Sequence, residues 1–146
     1  MKKVSYTLFA ASLILLLIYP RYTKADESEG AGQKDARAIK EVNATGAHML
    51  IEKNRDNPDF IILDVRTAEE YSDGHIENSL NLDYKSDSFK DEVGKLDKSK
   101  TYLVHCRSGR RSEAASKIME ETGFLNIYEL DGGIKGWEET GFPVTK

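Results

Sequence analysis

Cysteine is almost absent from this chain: Cys106 is the only one in 146 residues. A single thiol cannot form an internal disulfide, so Cys106 is a buried inert residue, an intermolecular partner or a reactive group. Histidine is also scarce. The three imidazoles, at positions 48, 75 and 105, are scattered and with one thiol give no metal-ligand spacing. No metal is therefore expected. Positive charge is in deficit, with 21 Lys and Arg against 25 Asp and Glu and a net charge of −4. That balance argues against nucleic acid or an anionic membrane as a general partner. No internal repeat is present, and no apolar run reaches the ~20 residues of a spanning helix. The length suits one compact domain rather than two.

The longest apolar run, Leu8 to Tyr19, follows Lys2 and Lys3 and precedes the polar stretch "PRYTKADESEG". A basic start, an apolar core of about a dozen residues and the small residue Ala25 have the layout of a secretory signal peptide. Residues 1–25 are read as that peptide, cleaved in the mature protein. Thr23 at position −3, with Pro20 and Arg21 after the run, leaves an uncleaved anchor facing outside the cytoplasm as the alternative. The membrane is a partner only in that case. No cysteine stands directly after the run, which counts against a lipid anchor. Residues 1–25 hold Lys2, Lys3, Arg21 and Lys24 and no acid, so cleavage takes the net charge from −4 to −8. The expected location is the periplasm or another exported compartment. Residues 26–37, "DESEGAGQKDAR", are polar and without periodicity, as in a flexible tether. The folded domain is expected over 38–146.

Along that domain strands and helices alternate. "AIKEV" suits a short strand. "NATGAHMLIEKN" suits a helix capped by Asn43, a position at which the glycosylation pattern Asn-Ala-Thr carries little weight. "FIILDV" (60–65) and "TYLVH" (101–105) are continuous apolar runs of the kind covered on both faces of a sheet. Thr67 and Glu70 form a capping-box pattern that opens a short helix closed by Gly74. "SLNL" and "NIYEL" are further strands. "SDSFKDEVGKL" places Phe89, Val93 and Leu96 on one side of a helix. "SEAASKIMEETG" (112–123) turns Ala115, Ile118 and Met119 inward and stops at Gly123. "GGIKGWEETG" ends the domain as a short helix, with Trp137 as its packing anchor. This alternation predicts an α/β domain with a mostly parallel sheet.

Ligands of such sheets bind beyond the carboxyl ends of the strands, and Cys106 follows one of those ends. The loop Cys106-Arg107-Ser108-Gly109-Arg110-Arg111 leads into a helix. Its backbone N–H groups and the helix N-terminus favour thiolate over thiol. Gly109 allows a tight cradle. Arg107, Arg110 and Arg111 supply charge for an anionic substrate. An inert buried cysteine would not sit among three arginines. Two reactions use a thiolate held in this way, phosphoryl transfer and sulfur transfer. In the cysteine-dependent phosphatases the arginine stands six positions after the cysteine. Here Ser112 stands at that position and Arg111 at five, and this shorter loop favours sulfur.

Three ordered stretches resemble the single-domain rhodaneses: "LDVRTAEEYSDGHIENSLNL" (63–82), "LVHCRSGRRS" (103–112) and "LDGGIKGWEETGFPV" (130–144). One departure is Asn78, where the family has a small residue, often Gly. The resemblance implies a rhodanese-like fold with a mostly parallel central sheet flanked by helices. It implies catalysis by Cys106 through a covalent persulfide, with no cofactor. The outer sulfur of a small anionic donor such as thiosulfate passes to a thiophilic acceptor, cyanide or a thiol. Backbone N–H groups of residues 107–111 hold the terminal sulfur. Arg107 and Arg111 are the expected binders of the donor's sulfonate, with Arg110 next and Ser108 and Gly109 lining the loop. Asp64, Arg66 and His75 are expected to support the loop, Arg66 by pairing with Glu70. His105 neighbours Cys106 on a strand and should point to the opposite face, and His48 is a surface or packing residue. The alternatives are a persulfide carrier serving a protein donor or acceptor and, less favoured, a phosphatase or arsenate reductase on the same fold.

Overall fold

A computed structural model describes residues 38–146 of the chain. The expected signal peptide (1–25) and tether (26–37) lie outside the described residues. The elements are β1 (Ile39–Val42), α1 (Ala44–Lys53), β2 (Phe60–Asp64), α2 (Ala68–Asp73), β3 (Leu80–Asn81), α3 (Phe89–Gly94), β4 (Thr101–His105), α4 (Arg110–Glu121), β5 (Asn126–Leu130) and α5 (Gly133–Glu139). The five strands form one sheet in the order β1-β5-β4-β2-β3, and every pair in it is parallel. Among the described residues no helix is long and apolar enough to cross a membrane.

Alternation along the central strands sorts the core into two layers. Leu63 and Val65 from β2 and its end, Tyr102, Val104 and Cys106 from β4 and its end, and Ile127 from β5 face one side. There they pack against Phe89 and Val93 of α3 and Ala115 and Met119 of α4. Ile62, Leu103 and Leu130 face the other side, against Ala44 and Ala47 of α1 and Ile134 and Trp137 of α5. The strands are thus covered on both faces, as their continuous apolar runs require.

Local signals set the helix starts. The Asn43 side chain accepts from Gly46 N–H at 2.8 Å. Thr67 and Glu70 form the reciprocal capping box, with Glu70 N–H donating to Thr67 Oγ1 and Thr67 N–H to Glu70 Oε2, each at 3.2 Å. α4 departs from the sequence reading by starting at Arg110, two residues early, because Gly109, with φ 100°, takes the N-cap position. Arg110 and Arg111 therefore lie in the first turn of α4, and Ser112 is buried. Asn78 has φ 62°. That left-handed conformation explains the small residue expected there, and Asn is among the few side chains that tolerate it.

The strand order places the site. From β2 the chain runs outward through α2 to β3, then returns to β4 and leaves the other way through α4 to β5. This reversal opens a crevice between the carboxyl ends of β2 and β4. Cys106 stands at this point, directly after the carboxyl end of β4.

Candidate active site

The backbone of the Cys106 loop is held from behind by α5. Ile134 N–H donates to Cys106 O at 2.8 Å and Lys135 N–H to Arg107 O at 3.1 Å. Gly133 makes this approach possible, since a Cβ there would lie 2.6 Å from both Arg107 C and Cys106 O. With those two carbonyls committed to α5, the loop turns N–H groups toward the sulfur. Gly109 N–H donates to Cys106 Sγ at 3.2 Å and Ser112 Oγ lies 3.6 Å from it.

Cys106 is only 1% exposed. Burial by itself would push its thiol up. Hydrogen bonds from the Ser112 hydroxyl and from the N–H groups of Ser112, Ser108 and Arg111 outweigh this and bring it below the ordinary thiol range. The cradle therefore favours the thiolate, the nucleophilic form.

The three loop arginines have different surroundings. Arg111 is largely buried and grips Glu70 with two parallel bonds, Nη1 to Oε2 at 2.6 Å and Nη2 to Oε1 at 2.8 Å. Arg107 and Arg110 are exposed and make no ion pair among the described residues. With Ser108 and Arg111 they line the mouth above Cys106, joined by Tyr84 and Lys85 from the loop after β3. The sequence reading missed Tyr84 and Lys85. The available signal was that loops after parallel strands gather at the carboxyl end of the sheet. Leu82 N–H to Asp64 O at 3.0 Å and Tyr84 N–H to Val65 O at 3.3 Å hold that loop against the crevice.

The pairing expected between Arg66 and Glu70 does not occur. Two residues apart at a strand end, Asp64 and Arg66 project to the same side. Arg66 Nη2 donates to Asp64 Oδ2 at 2.6 Å and Nε contacts both carboxylate oxygens at 3.0 Å. A further bond from Nη2 reaches Gly74 O at 2.7 Å. Glu70, turned back to cap α2, faces Arg111 instead. Asp64 is fully buried and Arg66 is 6% exposed.

His105 is buried on the side of the sheet opposite Cys106, as alternation requires. Burial pushes it below the usual imidazole range, so its 3.7 Å contact with Asp64 is not an ion pair. His75 stacks on Tyr71 at 3.9 Å and exchanges two 2.8 Å backbone bonds with Thr145, pinning the segment after α2 to the chain's end. His48 stacks on Phe142 at 4.3 Å, a packing role. No cluster among the described residues has the make-up of a metal site.

Comparison with known proteins agrees with this fold. The rhodanese-like domain family matches residues 48–140. A rhodanese-related protein of Thermoplasma volcanium is 33% identical, with 73% of this chain and 97% of that one covered and a TM-score of 0.61. The rhodanese-like domain of an Anabaena protein is 28% identical, with coverage of 72% and 77% and a TM-score of 0.60. Among curated proteins, the tRNA uridine(34) hydroxylase of Photorhabdus laumondii is 35% identical over a 99-residue alignment, with 61% of this chain and 28% of that protein covered. The chain therefore spans under a third of the length of that relative.

The Glu70–Arg111 pair carries a stability consequence. Arg111 holds the Glu70 carboxyl down from 4.5 to about 2. Its contribution is complete above pH 4.5 and is lost as the pH falls toward 2. Glu70→Gln should cost about 1–3 kcal/mol near neutral pH, with partial exposure limiting the loss. It should also flatten the acid limb of stability. Urea unfolding over a pH series checks this, and equal acid sensitivity in the two proteins would contradict it.

Proposed function

Because the chain belongs to the rhodanese-like domain family, we propose that it is a sulfurtransferase acting by double displacement through Cys106. The thiolate attacks the outer sulfur of thiosulfate, the S–S bond of the donor breaks, and sulfite leaves with the bonding electron pair. The enzyme then carries a persulfide whose terminal sulfur rests on loop N–H groups. Cyanide or a thiolate attacks that terminal sulfur, and Cys106 departs as thiolate. The observation that carries this reading is the Cys106 sulfur at the bottom of a donor-lined cradle under an Arg-rich mouth. No cofactor takes part.

Arg107, Arg110 and Lys85 are the groups suited to draw in the donor's sulfonate, while Arg111 is committed to Glu70 and braces the loop. This revises the order expected from the sequence, in which Arg111 ranked above Arg110. The tRNA activity named for the Photorhabdus relative belongs to a protein mostly outside the matched part, and an acidic chain is poorly suited to a polyanion. Exposed cations at the mouth also admit a protein donor or acceptor, and slow thiosulfate–cyanide turnover with a stable persulfide would favour that carrier reading. Against a phosphatase or arsenate reductase stand the short loop and the commitment of Arg111 to Glu70.

Intact-mass measurement tests the reaction class. Incubation with thiosulfate should add one sulfur atom, and cyanide should remove it. Cys106→Ser should stay folded and gain nothing, since oxygen cannot form the persulfide. Addition of sulfur to that variant would place the chemistry elsewhere.

Stopped-flow measurement of the two half-reactions tests the arginines. Arg107→Ala and Arg110→Ala should each lower the specificity constant for thiosulfate by roughly five- to thirtyfold, about 1–2 kcal/mol. Added salt should mimic part of this loss. Attack of cyanide on the preformed persulfide should change far less. Equal losses in both halves would remove the case for a thiosulfate-type donor.

The protein is exported, with residues 1–25 removed. Lys2, Lys3 and the short apolar run support this. Mature protein should begin near Asp26 and fractionate outside the cytoplasm in soluble form. Met1 retained in the membrane fraction would point to the anchor instead.

A further inference from the structure

Behind the Cys106 loop lies a carboxyl that the sulfur-transfer steps do not use. Glu129, one residue before the end of β5, is 7% exposed and makes no ion pair among the described residues. Its Oε1 is 3.3 Å from Ser112 Oγ. Ser112 is fully buried, and the same hydroxyl lies 2.7 Å from Gly109 O and 3.6 Å from Cys106 Sγ. A serine hydroxyl has one proton to donate and two lone pairs with which to accept. Sulfur, carbonyl and carboxyl thus surround a single proton.

We propose that Glu129 is a positioning residue of the Cys106 site: acting through Ser112, its carboxyl decides whether the sulfur receives that hydroxyl's proton. A neutral carboxyl donates its own proton to Ser112 Oγ, which leaves the hydroxyl free to turn to the thiolate. An ionised carboxylate takes the hydroxyl for itself, and the thiolate loses one of its donors. The surroundings bear on which form is held. Burial pushes Glu129 above the usual carboxylate range, its bond with Ser112 opposes this, Glu113 and Glu41 add to it, and Lys117 opposes it. Glu120 lines the same groove. Glu41 stands in register beside Glu129 on β1, and the β4 residue in register with it is the apolar Val104.

The inference rests on the proposed sulfurtransferase reading only in taking Cys106 as the reactive thiol. Its test therefore avoids sulfur donors: the rate of Cys106 alkylation by iodoacetamide is measured against pH in the full chain. Glu129→Gln cannot ionise and keeps a donor for Ser112. It should alkylate about three- to tenfold faster than wild type below the thiol's midpoint. In a Ser112→Ala background the same change should gain less than about twofold, and in Ser112→Thr, which keeps the hydroxyl, the gain should return. Glu129→Asp retains the charge but withdraws it by a methylene, so it too should alkylate faster; this arm needs no change at Ser112. A Glu129→Gln profile superimposed on wild type would overturn the proposal. So would an equal gain without the Ser112 hydroxyl, or a Glu129→Asp rate equal to wild type, because either would mean that charge acts through space alone. A failed persulfide assay with these alkylation results intact would overturn the reaction and not the role of Glu129.

Discussion

Helix α5 reaches the Cys106 loop only because position 133 carries no side chain, and the geometry of the sulfur depends on that contact. A Cβ at Gly133 would fall 2.6 Å from the Arg107 carbonyl carbon, with φ 59° adding strain for any other residue. At this distance the N–H groups of Ile134 and Lys135 satisfy the carbonyls of Cys106 and Arg107. A peptide whose carbonyl is tied backward leaves the following N–H groups free to face forward. α5 keeps its place because Trp137, 2% exposed, is sunk in the core and bonds Pro143 O through Nε1 at 2.9 Å. The closing stretch of the chain therefore acts on the chemistry indirectly, as the backing of the cradle.

Charge is divided around the crevice by burial. Beneath it, Asp64 and Arg66 satisfy each other, and Asn81 ties the two carbonyls of that strand end, donating to Asp64 O at 3.0 Å and Arg66 O at 2.9 Å. A buried pair of this kind is tolerable only when its hydrogen bonds are complete. Beside the loop, Arg111 and Glu70 join the first turn of α4 to the first turn of α2, so the helix that follows Cys106 and the helix that follows Asp64 are clamped together. Among the described residues, the rim cations Arg107, Arg110 and Lys85 make no ion pair. Charge that holds the site is thus spatially separate from charge available to a substrate.

Much of this was legible in the sequence because it is local. Continuous apolar runs marked β2 and β4, the Thr67–Glu70 spacing marked α2, and the alternation of a strand separated His105 from Cys106. What was not legible depends on which strands become neighbours. Glu129 meets Ser112 because β5 lies beside β4, and Tyr84 and Lys85 arrive because β3 lies beside β2. Neither adjacency is written in spacing. Arg66 was assigned to Glu70 from the family resemblance, but i and i+2 at a strand end share a side, and Arg66 pairs with Asp64 instead. The start of α4 was placed at Ser112, whereas Gly109 with its positive φ takes the cap position and leaves Ser112 to turn inward.

That inward turn bears on how acidic the thiol should be. A cradle that stabilised the thiolate without limit would also weaken it, since nucleophilicity falls with thiol pKa and the best attacking thiol has a pKa near ambient pH. In this structure, burial opposes the N–H donors at Cys106, and a carboxyl shares the nearest hydroxyl. In the proposed cycle the formal charge moves outward when the persulfide forms, from Sγ to the terminal sulfur. Sγ then has less need of the Ser112 hydroxyl, and Glu129 stands ready to accept it. One side chain set among these acceptors can therefore serve both states of the sulfur without any backbone movement, which suits a loop fixed by α5 behind and by Arg111 at its side.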